Sequence, residues 1–199
     1  MIICLTGGLA SGKSTAVKHL AKKGAHVIDA DVLGHLAYEP GNKAHAAIIA
    51  EFGEDVCGDD DYIDRRVLGG LVFGKPVKLK KLTDIVWPEI RRMAEDEIAK
   101  IQSRDPDQVI VLEAAVLFEA GWQDIGDEVW VIAVDRETAI KRSMVRDNVV
   151  REDVEKRLDA QLTNDQRASL ADQVILNDSD EAELLIQLDL AWQSSTGSQ

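Results

Sequence analysis

Residues 5–15, Leu-Thr-Gly-Gly-Leu-Ala-Ser-Gly-Lys-Ser-Thr (LTGGLASGKST), stand directly behind the apolar run Ile2-Ile3-Cys4-Leu5. So many small polar residues beside a buried strand serve no core, but they suit a phosphate. Residues 7–14 satisfy G-x-x-x-x-G-K-[ST], with a strand pattern before them and a helical pattern, Lys13 to Lys23, after them. Glycines let the backbone turn its N–H groups inward, and the start of the helix adds partial positive charge where β- and γ-phosphates would lie. Gly8, Ala10, Ser11, Gly12, Lys13, Ser14 and Thr15 are therefore the expected contacts to a nucleoside triphosphate, the ATP-binding residues if the donor is ATP. Lys13 is expected to bridge the phosphates, and the Ser14 hydroxyl to ligate Mg²⁺. The bland alternative, a glycine-rich turn with a surface lysine, requires the whole motif to arise by chance in the right setting.

Working outward, apolar runs at His26–Ile28, Val109–Leu112, Val129–Val134 and Val174–Leu176 alternate with helical patterns. That alternation predicts an α/β fold, a parallel P-loop NTPase-like sheet with helices on both faces. The interval between Asp31 and Val109 is too long for one crossover and predicts a helical insertion over 39–104. Within it, Asn42 to Phe52 reads as a helix, GEDVCGDDDYID as an acidic loop, and Arg65 to Ile101 as mainly helical with a break at Pro88. A second helical excursion, 136–168, is charge-rich and expected to project into solvent as a lid. The nucleotide core of this single domain is then 1–38, 105–135 and 169–199. Asp180 to Trp192 reads as an amphipathic helix with Leu184, Leu185, Leu188 and Trp192 on one side, and the closing SSTGSQ as disordered.

Asp and Glu number 36 against 23 Lys and Arg, a formal net charge of −13. Such a surface repels nucleic acid and anionic membranes, so neither is an expected partner, and local clusters of Arg and Lys gain meaning. Cys4 and Cys57 have no metal-ligand or redox spacing and read as two reduced thiols. No apolar run approaches the ~18 residues that span a bilayer. A cytoplasmic protein, monomeric or weakly self-associating, is expected.

The second strand ends in Val27-Ile28-Asp29-Ala30-Asp31, and strand alternation would point Asp29 and Asp31 the same way. Two carboxylates near a triphosphate repel it unless one serves Mg²⁺ or accepts a proton from an attacking hydroxyl. Asp31 is the candidate base; its alternative role is N-cap of the segment Val32–Tyr38, and Asp29 reads as a supporting or capping residue. Glu113, closing Val109–Leu112, fits a carboxylate that holds Mg²⁺ through water. Glu119 is either a substrate contact or an ordinary loop carboxylate. Asp59-Asp60-Asp61 lacks alternating ligand spacing and reads as a solvated turn.

Arg142 and Arg146, at i,i+4 spacing, belong either to an ion-paired solvated helix or to a mobile segment that neutralises charge on a migrating phosphoryl group. In the insertion, Arg65, Arg66, Lys75, Lys78, Lys80 and Lys81 either confer solubility or grip an acceptor that itself carries phosphates. Trp87, before Pro88, is a core aromatic or a wall of that pocket. His35 reads as a packing or surface residue.

With these residues in view, the chain resembles the dephospho-coenzyme A kinases over nearly its whole length. The matching stretches are LTGGLASGKST, VIDADVLGHLAYEPG, DRRVLGGLVF, LTDIVWPEI, VLEAAVLFEAGW, VDRETAIKRSMVRDNVVREDVEKRLDAQ and ADQVILNDS, in the family's order. VIDAD and the R-x-x-x-R-D segment with its downstream Gln are more specific than the phosphate loop. The resemblance implies a nucleotide core, an insertion for the coenzyme A precursor, a lid, and transfer of the ATP γ-phosphate to the ribose 3′-hydroxyl of dephospho-coenzyme A. By position, Asp31 matches the catalytic base, Lys13 and Ser14 the phosphate and Mg²⁺ contacts, and Arg142 and Arg146 the lid. Trp87 and Glu113-Ala114-Ala115 depart from the common family pattern and look closer to the branch fused to an adenylyltransferase in bifunctional coenzyme A synthases. Rival readings are a kinase for another small acceptor, such as a nucleoside monophosphate, and a nucleotide-dependent switch.

Overall fold

A computed structural model describes residues 1–197 of the chain; Ser198 and Gln199, the end of the tail expected to be disordered, lie outside the described residues. Five strands, β1 (Ile2–Gly7), β2 (His26–Asp29), β3 (Ile110–Glu113), β4 (Glu128–Ala133) and β5 (Gln173–Leu176), form one sheet in the order β2-β3-β1-β4-β5. β1 pairs in parallel with β3 and β4, and β4 in parallel with β5. β1 is thus central, which explains its unbroken apolar run: a strand covered on both faces gains from side chains on each.

The chain divides into two compact units, Met1–Ile28 with Ile101–Gln199, and Asp29–Lys100. In the first, Ile3, Leu5, Val111, Trp130, Ile132 and Ile175 of the sheet pack with Leu20 of α1 (Lys13–Lys22) and Leu184 and Leu188 of α9 (Glu181–Thr196). Each such side chain contributes roughly 1.5–3 kcal/mol on burial. Helices α6 (Arg136–Asp147), α7 (Arg151–Asp159) and α8 (Asn164–Ala168) complete this unit, started by Asp135 on Thr138 and by a capping box between Thr163 and Gln166. The excursion does not simply project into solvent, as its charge suggested. Ile140, Ser143, Val154 and Arg167 are all buried, so charge on one face conceals a second, inward face.

The second unit holds α2 (Ala30–Ala37), α3 (Lys43–Phe52), α4 (Arg65–Val72) and most of α5 (Pro76–Arg104). The expected break at Pro88 is absent: α5 runs through it, and the Trp87–Pro88 bond is trans. A proline inside a helix removes one hydrogen bond and costs about 3 kcal/mol, which buried Leu82, Val86, Ile90, Ala94 and Ile98 offset along the helix. The tail is also more ordered than expected, since α9 continues to Thr196. Ser195 Oγ donates to Glu128 at 2.7 Å and Thr196 Oγ1 to the Trp192 carbonyl at 2.7 Å, giving polar residues a reason to stay helical.

Candidate active site

The phosphate loop joins β1 to α1. Gly12 is the N-cap of α1 with φ +96°, a left-handed conformation that favours glycine, and no side chain among the described residues caps the helix. Asn177, at the end of β5, fixes this turn by donating its amide to the Ser11 carbonyl at 2.8 Å. Gly7 is crowded: a Cβ there would stand 2.5 Å from the Ile132 carbonyl and 2.6 Å from Ser11 Oγ. The loop backbone therefore follows its path because residues 7 and 12 have no side chain.

Two features of the loop bear on what it could hold. Lys13 Nζ folds back to the Gly7 and Gly8 carbonyls, at 2.9 and 3.5 Å. Ser11 Oγ is buried with no hydrogen-bond partner among the described residues, an arrangement that costs about 1–3 kcal/mol unless a water or a ligand atom completes it. Ser14 is exposed in the first turn of α1, and Thr15 is half-buried beside it.

Arg142 meets the loop. It donates to the carbonyls of Asn177 at 2.8 Å and Ser179 at 2.9 Å, and it lines a cavity of about 250 Å³ with Ala10, Gly12, Thr15 and Glu181. Arg146, one turn further along α6, is turned to Asp147 instead, at 2.7 and 2.9 Å. That pair holds the Asp147 carboxyl down at about 2, with help from the Ser143 hydroxyl and from Arg157. Glu113 ends β3 in register with Leu5, two residues before Gly7, so its carboxylate belongs to the edge from which the loop springs. Glu119 is exposed but close enough to Arg167 to act on its charge.

Arg167 is what the sequence reading passed over; Gln161, the Gln downstream of the R-x-x-x-R-D segment, was marked as a family feature but given no role. Arg167 is only 3% exposed, and burial pushes its guanidinium below the ordinary arginine range while Glu119 opposes the shift. It donates to the Leu162 carbonyl and lies 3.5 Å from Gln161 Oε1, which accepts the Leu9 N–H at 3.1 Å. A Cβ on Gly8 would stand 3.2 Å from its Nη1. A buried cation thus leans on the phosphate loop from α8. Its one sequence signal was indirect, the capping box that starts the short helix carrying it.

In the second unit, the alternation argument for Asp29 and Asp31 fails because β2 ends at Asp29. Asp29 is the N-cap of α2, accepting from Asp31 N at 2.8 Å and Val32 N at 3.2 Å. Asp31 is not the cap; it is an exposed residue of the first turn. Arg65 lies over the Tyr38 ring at 5.5 Å, Lys78 is exposed, and Trp87 is half-buried within α5. Lys80 and Lys81 are paired with Asp84 and Glu51. A groove of about 360 Å³ in this unit is lined by Lys43, Asp84, Ile85, Pro88 and Arg92.

The profile of the CoaE family, dephospho-CoA kinase, matches residues 1–183. A dephospho-CoA kinase of Geobacter sulfurreducens is 44% identical over 191 residues, 96% of each chain, and one of Geobacter metallireducens 40% identical over 192 residues, 96% of this chain and 95% of its own. Among solved structures, a Thermus thermophilus protein superposes with a TM-score of 0.81 at 32% identity, covering 98% of this chain and 97% of its own. Dephospho-CoA kinase from Campylobacter jejuni gives a TM-score of 0.65 at 25% identity, covering 97% and 96%. The Acinetobacter baumannii shikimate kinase, at 15% identity and a TM-score of 0.55, shares the fold alone. The two Geobacter relatives are matched over nearly their full length, so the affinity to bifunctional synthases read from residues 87 and 113–115 gains nothing from them. A phosphate loop on a five-stranded parallel sheet and a family match over nine-tenths of the sequence lead to one assignment: the chain belongs to the dephospho-CoA kinase family.

Proposed function

We infer that the chain binds ATP on residues 7–15 and transfers its γ-phosphoryl group to the ribose 3′-hydroxyl of dephospho-coenzyme A, the final step of coenzyme A biosynthesis. The observation that carries this reading is the phosphate loop with its unpartnered Ser11 hydroxyl and its backfolded Lys13, in a chain whose family is defined by that reaction. Gly8, Ala10, Gly12 and Thr15 supply backbone and side-chain donors to the phosphates, and Lys13 leaves the loop carbonyls to meet them. Preorganised donors of this kind stabilise the charge that migrates with the phosphoryl group.

The oxygen donors at the loop suit a hard cation, since Ser14 offers a hydroxyl and Glu113 a carboxylate that reaches an ion directly or through water. Mg²⁺ held there would neutralise charge on the β- and γ-phosphates. Arg142, already against the cavity beside the loop, takes the nucleotide; Arg146 exchanges Asp147 for the transferring group as the lid of residues 136–168 closes. Closure excludes water and so suppresses hydrolysis of ATP.

In the insertion, Asp31 orients or deprotonates the attacking 3′-hydroxyl, being an exposed carboxylate whose neighbour Asp29 already serves the helix. Arg65, Lys78, Trp87 and Glu119 are the residues assigned to contact the coenzyme A precursor. The enzyme works as a monomer or a weak homo-oligomer. ADP release measured with dephospho-coenzyme A, AMP and a nucleoside as acceptors tests the reading: it should depend on dephospho-coenzyme A alone. Asp31→Asn should lower turnover by about 100-fold or more; an Asp31→Asn enzyme with near-normal turnover removes the base from the mechanism.

A further inference from the structure

In the second unit, His45 of α3 meets Cys57 and Asp61 of the acidic loop that follows it. One ring nitrogen of His45, the Cys57 sulfur and a carboxylate oxygen of Asp61 all lie within 4.8 Å of one another. We propose that they form a binding site for a thiophilic divalent cation of the Zn²⁺ class, separate in chemistry from the Mg²⁺ that accompanies ATP.

The ligand set decides the ion. A thiolate, an imidazole and a carboxylate together suit Zn²⁺, whereas Mg²⁺ takes oxygen donors and disfavours sulfur. Three protein ligands leave the fourth tetrahedral position to water. On binding, the Cys57 thiol releases its proton to solvent, and one His45 nitrogen becomes the ligand while the other keeps the ring proton.

The site is held before any ion arrives. His45 projects from α3 and is only 6% exposed; its Nε2 donates to the Asp61 main-chain carbonyl at 2.6 Å. Cys57 Sγ donates to Asp61 Oδ1 at 3.6 Å. The loop is tied at its base by the antiparallel bridge between Cys57 and Ile63 and by Gly58 N to the Tyr62 carbonyl at 2.8 Å. Asp61 sits in the left-handed region at φ +65°, a conformation that costs a non-glycine residue roughly 1–2 kcal/mol and that the loop nevertheless maintains. Zn²⁺ ligand bonds of ~2.0–2.3 Å require the three atoms to close by about an ångström, well within the reach of two partly exposed side chains. Exposed Asp59 and Asp60 beside the site favour a cation electrostatically. The ion would clamp α3 to the acidic loop and stabilise this unit.

The full chain, stripped by chelator, is titrated with Co²⁺ as a visible substitute and then with Zn²⁺. The proposal expects one equivalent of Co²⁺ bound with a thiolate charge-transfer band, displaced by Zn²⁺ but not by a large excess of Mg²⁺, and a rise in Tm with Zn²⁺. Cys57→Ser, at a partly exposed position, keeps the fold and should lose both the band and the rise; Asp61→Asn should weaken binding at least tenfold. Absence of the thiolate band in the parent chain, or an identical titration in Cys57→Ser, overturns the site.

Discussion

Gly12→Ala isolates the two demands that the fold makes on its phosphate loop. Gly12 holds φ +96°, and an added Cβ would stand 2.3 Å from Asn177 Nδ2, the atom that donates to the Ser11 carbonyl. The left-handed backbone costs an alanine roughly 1–2 kcal/mol. Relieving the overlap means withdrawing the Asn177 amide, which leaves a buried donor and acceptor unpaired at about 1–3 kcal/mol. Gly12→Ala should therefore destabilise the protein by about 2–5 kcal/mol, and Asn177→Ala, which breaks the same bond, by about 1–3 kcal/mol. In the double variant the overlap has nothing to strike, so its cost should fall short of the sum by about 1–3 kcal/mol. Urea unfolding followed by tryptophan fluorescence reads this well, because Trp122 and Trp130 are both buried in the same unit. Additivity of the two substitutions to within ~0.5 kcal/mol would refute the assignment of Gly12 and Asn177 to one shared constraint.

Arg167→Lys keeps a charge but loses the fork that spans Leu162 and Gln161; KM for ATP should rise about tenfold or more, with KM for dephospho-coenzyme A within about twofold. Parallel increases in both KM values, tracking a fall in Tm, would reduce Arg167 to a packing residue. The pH response of α6 follows from Asp147, whose carboxyl is held at about 2 by Arg146. A depressed carboxyl contributes stability above its unfolded value of about 3.9, and that contribution is lost as pH falls through about 2. NMR titration of the Asp147 carboxyl should give a midpoint near the lower value, and Arg146→Met should move it up.

The central strand, the phosphate loop and the helix after it were legible because motif, strand and helix are contiguous, and each local signal agrees with the others. Asp29 and Asp31 were harder. A strand period of two and a helix period of 3.6 place them differently, and one residue, Asp29, both ends the strand and caps the helix. Pro88 misled because its local cost is outweighed by buried side chains spread along the 29 residues of α5, which no window centred on the proline weighs. The order of Ser195 and Thr196 depends on Glu128, 67 residues from Ser195. Arg167 carries the same lesson at the site: in a charge-rich stretch, tertiary burial alone distinguishes an arginine that leans on the loop from those in solvent.

Calorimetric titration of the folded chain with Mg-ATP, beside Lys13→Met, tests the central claim most directly, that residues 7–15 form a receptor for a triphosphate. The account predicts a single saturable site in the parent chain and at least tenfold weaker binding once the ammonium is gone. No heat of binding at millimolar Mg-ATP, or equal affinity in the two proteins, would contradict it.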